Sequence, residues 1–162
     1  MEIAIVKFFN RLGGEKWDKI TDVVSRVKFL VVFWLIIIFG FFVFDGKLGK
    51  EIFIATAAAL VLHFLITELL IKTIASKIFG KRKRPYQAHE KEIRVIGRMF
   101  TDSSFPSSHM ASLLAILSVM VYFHPNFLII AILILMLMAY SRMHNGMHYL
   151  SDVLACVQSN GE

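Results

Sequence analysis

Near the end of the chain, Ser141-Arg142-Met143-His144-Asn145-Gly146-Met147-His148-Tyr149-Leu150-Ser151-Asp152 interrupts apolar sequence with two histidines, an arginine and an aspartate. If the segment from Met147 is helical, His148 and Asp152 stand one turn apart on one face. The carboxylate could then accept the imidazole Nδ1–H and leave Nε2 free as a nucleophile. Arg142, across a turn carrying Asn145-Gly146, offers a planar cationic fork suited to phosphate or carboxylate oxygens. A histidine oriented by a carboxylate beside an arginine points to phosphate chemistry. The same residue types leave two other readings open, a plain surface His–Asp pair and a metal site built on His144, His148 and Asp152.

The surroundings narrow the choice. With 57% hydrophobic residues and a mean hydropathy of +0.65, the chain is too apolar for an ordinary soluble domain. It reads as a membrane protein, and its 162 residues as a single membrane-embedded domain, 1–162. Nine of the eighteen Lys and Arg residues lie between Lys72 and Arg98. A basic cluster between apolar spans suggests an anionic ligand or lipid headgroups rather than nucleic acid. Cys156 stands alone, so no intrachain disulfide forms.

In chain order, Ile5, Phe8, Phe9 and Leu12 alternate with Lys7, Asn10 and Arg11 in the helical sense. This predicts a helix lying in the interface, ended by Gly13-Gly14, and too short and charged for a secretory signal peptide. Residues 29–44 carry no charge and, with Val27 and a snorkelling Lys28, reach bilayer length. A tight turn around Asp45-Gly46 leads to a second uncharged span, 52–67, continuing towards Lys77. In it Glu68 reads as an interfacial ion pair with Lys72, and His63 as a neutral histidine hydrogen-bonded inside the bundle. After the run Lys81-Arg82-Lys83-Arg84-Pro85, residues 90–100 space Ile93, Ile96 and Phe100 as a second interfacial helix or a lid would. Uncharged runs 110–123 and 127–140, broken by His124-Pro125-Asn126, predict an antiparallel helical hairpin. Ser107-Ser108 cap its first helix and place hydroxyls and N–H groups at the positive end of the helix dipole, a ready phosphate site. The short connection puts residues 106–109 and 141–148 on one membrane face, and the loop holding Lys77 and Arg84 joins them. Three polar clusters therefore converge at one end of an all-α bundle.

Lys77, six residues, Arg84-Pro85; then Pro106-Ser107-Ser108-His109; then Ser141-Arg142, five residues, His148, three residues, Asp152: this pattern resembles the three-part signature of the type 2 phosphatidic acid phosphatase superfamily, from the second apolar span to the last residues. That superfamily includes lipid phosphate phosphatases, bacterial undecaprenyl pyrophosphate phosphatases and phosphatidylglycerophosphate phosphatases, and also soluble acid phosphatases and vanadium haloperoxidases. The resemblance implies an integral membrane helical bundle of about five transmembrane spans, the last one short. Its substrate would be a lipid phosphate or polyprenyl pyrophosphate among membrane lipids, with no metal and no cofactor. His148 would be the nucleophile that becomes a phosphohistidine, Asp152 would orient it, and His109 would act as general acid and then base. Lys77, Arg84, Arg142, Ser107 and the N–H of Ser108 would bind the phosphate oxygens. Phosphoryl transfer asks a protein mainly for positioning and positive electrostatics, which these residue types supply.

Two departures from the family pattern stand out. Glycine is usual where Ser108 stands, and a requirement for φ > 0 there would strain the serine by roughly a kcal/mol or more. The last helix reaches only Gln158 before the polar residues 159–162, too short to cross a bilayer comfortably, so a truncated chain, a homo-oligomer or a partly unstable protein is expected. The basic residues also divide unevenly. Residues 1–28, 72–109 and 141–147 hold sixteen Lys and Arg, against two in 45–51, which places the site in the cytoplasm by the positive-inside rule. The resemblance implies an extracytoplasmic site in the cell membrane, and this is the side expected here because several of those charges would be substrate ligands. From the residues alone, the rival from another class is a non-enzymatic protein that binds or transports an anionic lipid in the same basic pocket.

Overall fold

The computed structural model describes residues 2–44 and 46–158; Asp45 of the expected turn, the polar tail 159–162 and the side chain of Cys156 lie outside the described residues. Every regular element among the described residues is helical. In order they are α1 (Glu2–Arg11), α2 (Glu15–Val24), α3 (Val27–Phe44), α4 (Gly46–His63), a π-helical stretch (Phe64–Ala75) running on into α5 (Ser76–Phe79), α6 (Pro85–Ala88), α7 (Ser108–Phe123), a 3-10 turn (Pro125–Phe127), α8 (Leu128–His144) and α9 (Leu150–Gln158).

Three helices, Val27–Phe44, Gly46–Ile78 and Pro125–His144, are long and apolar enough to cross a membrane, and α7 is a shorter apolar helix. Of the about five spans expected, three reach membrane-crossing length among the described residues, α7 is shorter at 16 residues, and α9 has 9. The core is built around α7, whose Met110, Leu113, Ile116, Leu117 and Met120 meet Trp34 and Ile38 of α3, Ile52 of α4, Ala131 and Met138 of α8 and Val153 of α9. A helix apolar all round is one that is enclosed, and α7 is that helix here. The outer faces of its neighbours remain apolar and exposed, as with Ile36 (67%), Phe39 (65%) and Ile129 (71%), which suits contact with lipid rather than water. Gly49 allows α4 to start against the end of α3, where a Cβ would lie 2.0 Å from the Phe41 carbonyl oxygen.

Several boundaries differ from the sequence expectation, and they matter for the site. Residues 90–100 form turns and irregular chain rather than a helix. They lean on α1: the Asn10 side chain donates to the carbonyls of Arg94 (2.9 Å) and His144 (2.7 Å) and accepts from the Arg94 N–H (2.8 Å). The mixed-charge stretch after Gly14 is the helix α2, and Asp18 on it meets His144 Nε2 at 2.9 Å. α8 continues beyond Tyr140 to His144, so Arg142 sits on its last turn, and α9 begins at Leu150 rather than at Met147. Between them Gly146 takes φ +71, where a Cβ would stand 2.7 Å from Ile93 Cγ2 and 2.9 Å from the Arg94 carbonyl. The turn between Arg142 and His148 is therefore pressed against the 90–100 loop.

Candidate active site

The first arginine is positioned by a break in the chain. At Gly80 (φ +88) the long second helix ends, residues 81–84 run irregularly, and Pro85, whose fixed φ suits a first helical turn, opens α6. Arg84 is left buried between two loops. Its Nη1 donates to the Met147 carbonyl (3.2 Å) and faces His148 Nε2 (3.2 Å), while Nη2 donates to Asp102 Oδ1 (2.7 Å) and to the Ser103 carbonyl (3.4 Å).

His148 lies in the loop before α9, 1% exposed. Its Nδ1 is 2.8 Å from the carbonyl of Ser104, which can only accept, and its Nε2 faces Arg84, which can only donate. These neighbours fix the tautomer, with the proton on Nδ1 and the Nε2 lone pair free. Burial, then the charges of Arg142, Arg84 and Lys72, hold the imidazole well below the ordinary histidine range, against the opposing hydrogen bond that it donates to the Ser104 carbonyl. The ring is neutral at neutral pH.

Asp152 does not make the contact expected of it. It stands 3.8 Å from His148 Nδ1, beyond hydrogen-bond reach; Oδ2 accepts the Tyr149 N–H (2.8 Å) and Oδ1 pairs with Arg82 Nη1 (2.6 Å). The cause is the late start of α9. His148 precedes the helix, the one-turn geometry assumed for the pair does not form, and the Ser104 carbonyl takes the orienting place. Asp152 instead holds the loop that carries His148, and Arg82 links it to Glu2 Oε2 (2.8 Å).

Arg142 is 2% exposed and lines a cavity of about 450 Å³ together with Lys72, Arg84, Asp102, Ser108, His109 and His148. Its Nε is buried without a hydrogen-bond partner, and among the described residues no carboxylate pairs with it. His109 lines the same cavity and donates from Nε2 to the Ser25 carbonyl (2.8 Å), so His109 and His148 are each held by one backbone carbonyl. Ser108 is the first residue of α7 and its hydroxyl meets Lys72 Nζ; no non-glycine residue among those described has φ > 0, so the strain expected at Ser108 does not arise. Ser107 is fully buried behind this wall, its N–H donating to the Asp152 carbonyl (3.1 Å), and it does not line the cavity.

Lys77 is not brought into this cavity either. It is exposed, on α5, and lines a neighbouring hollow with Lys81. Lys72 occupies the cavity wall instead, its side chain 7% exposed and Nζ 3.0 Å from Asp102 Oδ2. The register follows from the π-helical stretch, whose wider turns decide which lysine reaches the start of α7. Asp102 was not singled out by its sequence context, yet it joins both cations. Partial burial pushes its carboxyl up, but hydrogen bonds and charge from Lys72 and then Arg84 prevail and hold it at about 2.

The three residues of the metal reading do not converge. His144 turns outwards to Asp18 and to the Phe9 carbonyl (2.8 Å), and among the described residues no group of three His, Cys, Asp or Glu side chains is placed to hold a metal ion.

The whole chain resembles a solved structure from Bacillus subtilis, described as the first transmembrane PAP2 type phosphatidylglycerolphosphate phosphatase, with a TM-score of 0.62 at 20% identity over 96% of this chain and 76% of that one. No curated protein matches the sequence. Residues 52–157 match the PAP2 superfamily, a region that runs from α4 into α9 and contains the cavity's cations together with His109 and His148. By that match the chain belongs to the PAP2 superfamily and is a membrane phosphatase.

Proposed function

We propose that the protein hydrolyses a lipid phosphate or a polyprenyl pyrophosphate through a covalent phosphohistidine at His148. The observation that carries the reading is the held tautomer. With Ser104 behind it and Arg84 in front, His148 presents an unprotonated Nε2 beside buried cations. The lone pair attacks phosphorus, the bond to the leaving oxygen breaks, and protonated His109 supplies the proton to that oxygen. The proton that His109 gives is one it takes up on Nδ1 as the phosphate anion enters, since Nε2 is committed to Ser25; in the second half His109 takes a proton from water, the water oxygen attacks phosphorus, the P–N bond breaks, and inorganic phosphate leaves. Arg142, Arg84 and Lys72, with the Ser108 hydroxyl, carry the charge on the equatorial oxygens. Asp152 acts on the loop through Tyr149 and Arg82, and Lys77 and Ser107 support the site from outside it.

An amphiphilic substrate fits the cavity, because beyond its cationic end the lining is apolar, including Leu30, Trp34, Ile38, Leu60 and Ile116. We place the site on the extracytoplasmic side of the cell membrane. The excess of basic residues on this face is discounted as a topology signal because Lys72, Arg84 and Arg142 line the cavity as ligands for the substrate phosphate.

The test is labelling from a radioactive activated aryl phosphate, quenched in alkali and mapped by peptide. His148→Ala should abolish turnover and label together. His109→Ala should accumulate a base-stable, acid-labile phosphoprotein, because an activated leaving group needs no proton while the second half slows. Label on His109 or His144, or label persisting in His148→Ala, would overturn the assignment. Turnover should survive EDTA; complete loss restored by a divalent ion would sink the metal-independent mechanism.

A further inference from the structure

The cavity wall formed by α4 and its π-helical continuation carries two titratable side chains that phosphoryl transfer leaves unused, His63 and Glu68. Glu68 Oε1 is buried and accepts no hydrogen bond among the described residues. Lys72 Nζ lies 3.8 Å from it, which is the ion pair expected one turn apart but too long for a hydrogen bond, and Asp102 engages the same Nζ more closely at 3.0 Å. His63 Nδ1 is likewise buried without a partner, so the hydrogen bond expected of a bundle histidine is absent among the described residues. Unsatisfied polar atoms within an apolar span are costly, and those that persist beside a cavity are the ones a ligand can complete.

Helix geometry turns these residues into a row. His63, Glu68 and Lys72 are separated by five and four residues. On an α-helix the first two would lie roughly 140° apart at 3.6 residues per turn. The π turn begins at Phe64, its i→i+5 hydrogen bonds widen each turn, and all three side chains line one cavity. Lys72 stands at the phosphate end beside Ser108. Glu68 and His63 follow it inwards, as Ser112 and Ile116 of α7 do on another wall, while Leu30, Trp34 and Ile38 of α3 leave the remaining lining apolar.

We propose that Glu68 and His63 read the headgroup, taking a hydroxyl that lies between the scissile phosphate and the lipid chain; this rests on the lipid phosphatase reading above. The hydroxyl donates to Glu68 Oε1 and exchanges a hydrogen bond with His63. A second phosphate at that depth would bring its charge against the Glu68 carboxylate, and an isoprenyl or ester-linked chain there would leave both groups unsatisfied. The preferred substrate class is therefore a phosphate carried on a hydroxyl-bearing, glycerol-like linker, ahead of a polyprenyl diphosphate or a phosphate borne directly on diacylglycerol.

The experiment uses the full chain in detergent with phosphatidylglycerophosphate, its analogue lacking the free linker hydroxyl, phosphatidic acid, undecaprenyl diphosphate and p-nitrophenyl phosphate. Wild-type kcat/KM should fall about 10- to 100-fold when the linker hydroxyl is removed, the size expected for a hydrogen bond to a charged group. Glu68→Leu should lose a similar factor on the hydroxyl-bearing lipid and, within about threefold, nothing further on the analogue, closing a cycle between residue and hydroxyl. Glu68→Gln, which keeps shape and acceptor, should fall between, and the aryl phosphate should report an intact phosphate end throughout. Equal losses on all five substrates in Glu68→Leu, or no wild-type discrimination against the analogue, would overturn the headgroup pair. Hydrolysis of the aryl phosphate with no lipid turned over would instead overturn the lipid phosphatase reading, a distinct pattern.

Discussion

The cations of the cavity are held in two opposite ways. Arg142, on the last turn of α8, is buried with its Nε unpartnered and no ion pair among the described residues, feeling Asp102 only at longer range, whereas Arg84 and Lys72 share Asp102 at 2.7 and 3.0 Å. A buried cation without an ion pair is costly to hold, and its donors stay available to an anion that enters the cavity. Such a group is preorganised for charge that develops on phosphorus oxygens. The pair on Asp102 is different, because a substrate phosphate has to compete with a carboxylate for its donors. One side of the site is rigid and waiting, and the other exchanges partners.

The largest effect should follow from disturbing the rigid side. Arg142→Lys keeps the charge but loses the fork, and kcat/KM should fall by about two orders of magnitude, in keeping with roughly 3 kcal/mol for one transition-state donor. Arg84→Lys should cost less, since part of its hydrogen bonding is already spent on Asp102 and the Met147 carbonyl. Steady-state kinetics on one lipid substrate decides this. Equal losses, or a larger one at Arg84, would mean that the absence of a carboxylate partner has no bearing on the role of Arg142.

The rigid side was also the more legible one in the sequence. Uncharged runs and the break at His124-Pro125 place the hairpin, and the spacing from Arg142 to His148 survives an error of a few residues at helix ends. What could not be read was anything set by tertiary approach of backbone. The Ser104 and Ser25 carbonyls that hold the two histidines carry no side-chain signal, and the contact of residue 104 with 148 depends on how the loop before α7 folds over the start of α9. The Asp152 error has the same root, a helix start three residues late. α2 carries mixed charges and no apolar run to announce it, and its part in the fold shows only where Asp18 meets His144.

An intermediate effect should separate the two lysines. Motif spacing favours Lys77, while the π-helical register puts Lys72 at the Ser108 hydroxyl. Lys72→Ala should lower kcat/KM by about tenfold or more, with the loss chiefly in transition-state binding, and Lys77→Ala should cost several times less. The reverse order would show that the phosphate-bound protein uses a different helical register, and the exchanging side would then be Arg84 alone.

The smallest effect tests the exchange itself. Asp102 is held at about 2, so it is ionised throughout the working pH range and its pairing with Lys72 and Arg84 does not titrate there. Asp102→Asn removes the competing charge but keeps an acceptor of the same shape. Inhibition by inorganic phosphate should therefore tighten by a few-fold, with an effect on kcat smaller than that of either arginine substitution. A second readout follows from the neighbouring ring. Arg84 and Lys72 already depress His148, and with their carboxylate neutralised they should depress it further, so the pH at which the imidazole gains its proton should move down, as followed by NMR of the His148 ring. A rise in that pH, or weaker phosphate inhibition, would show that Asp102 organises the cations rather than competing for them, and both sides of the cavity would then be preorganised.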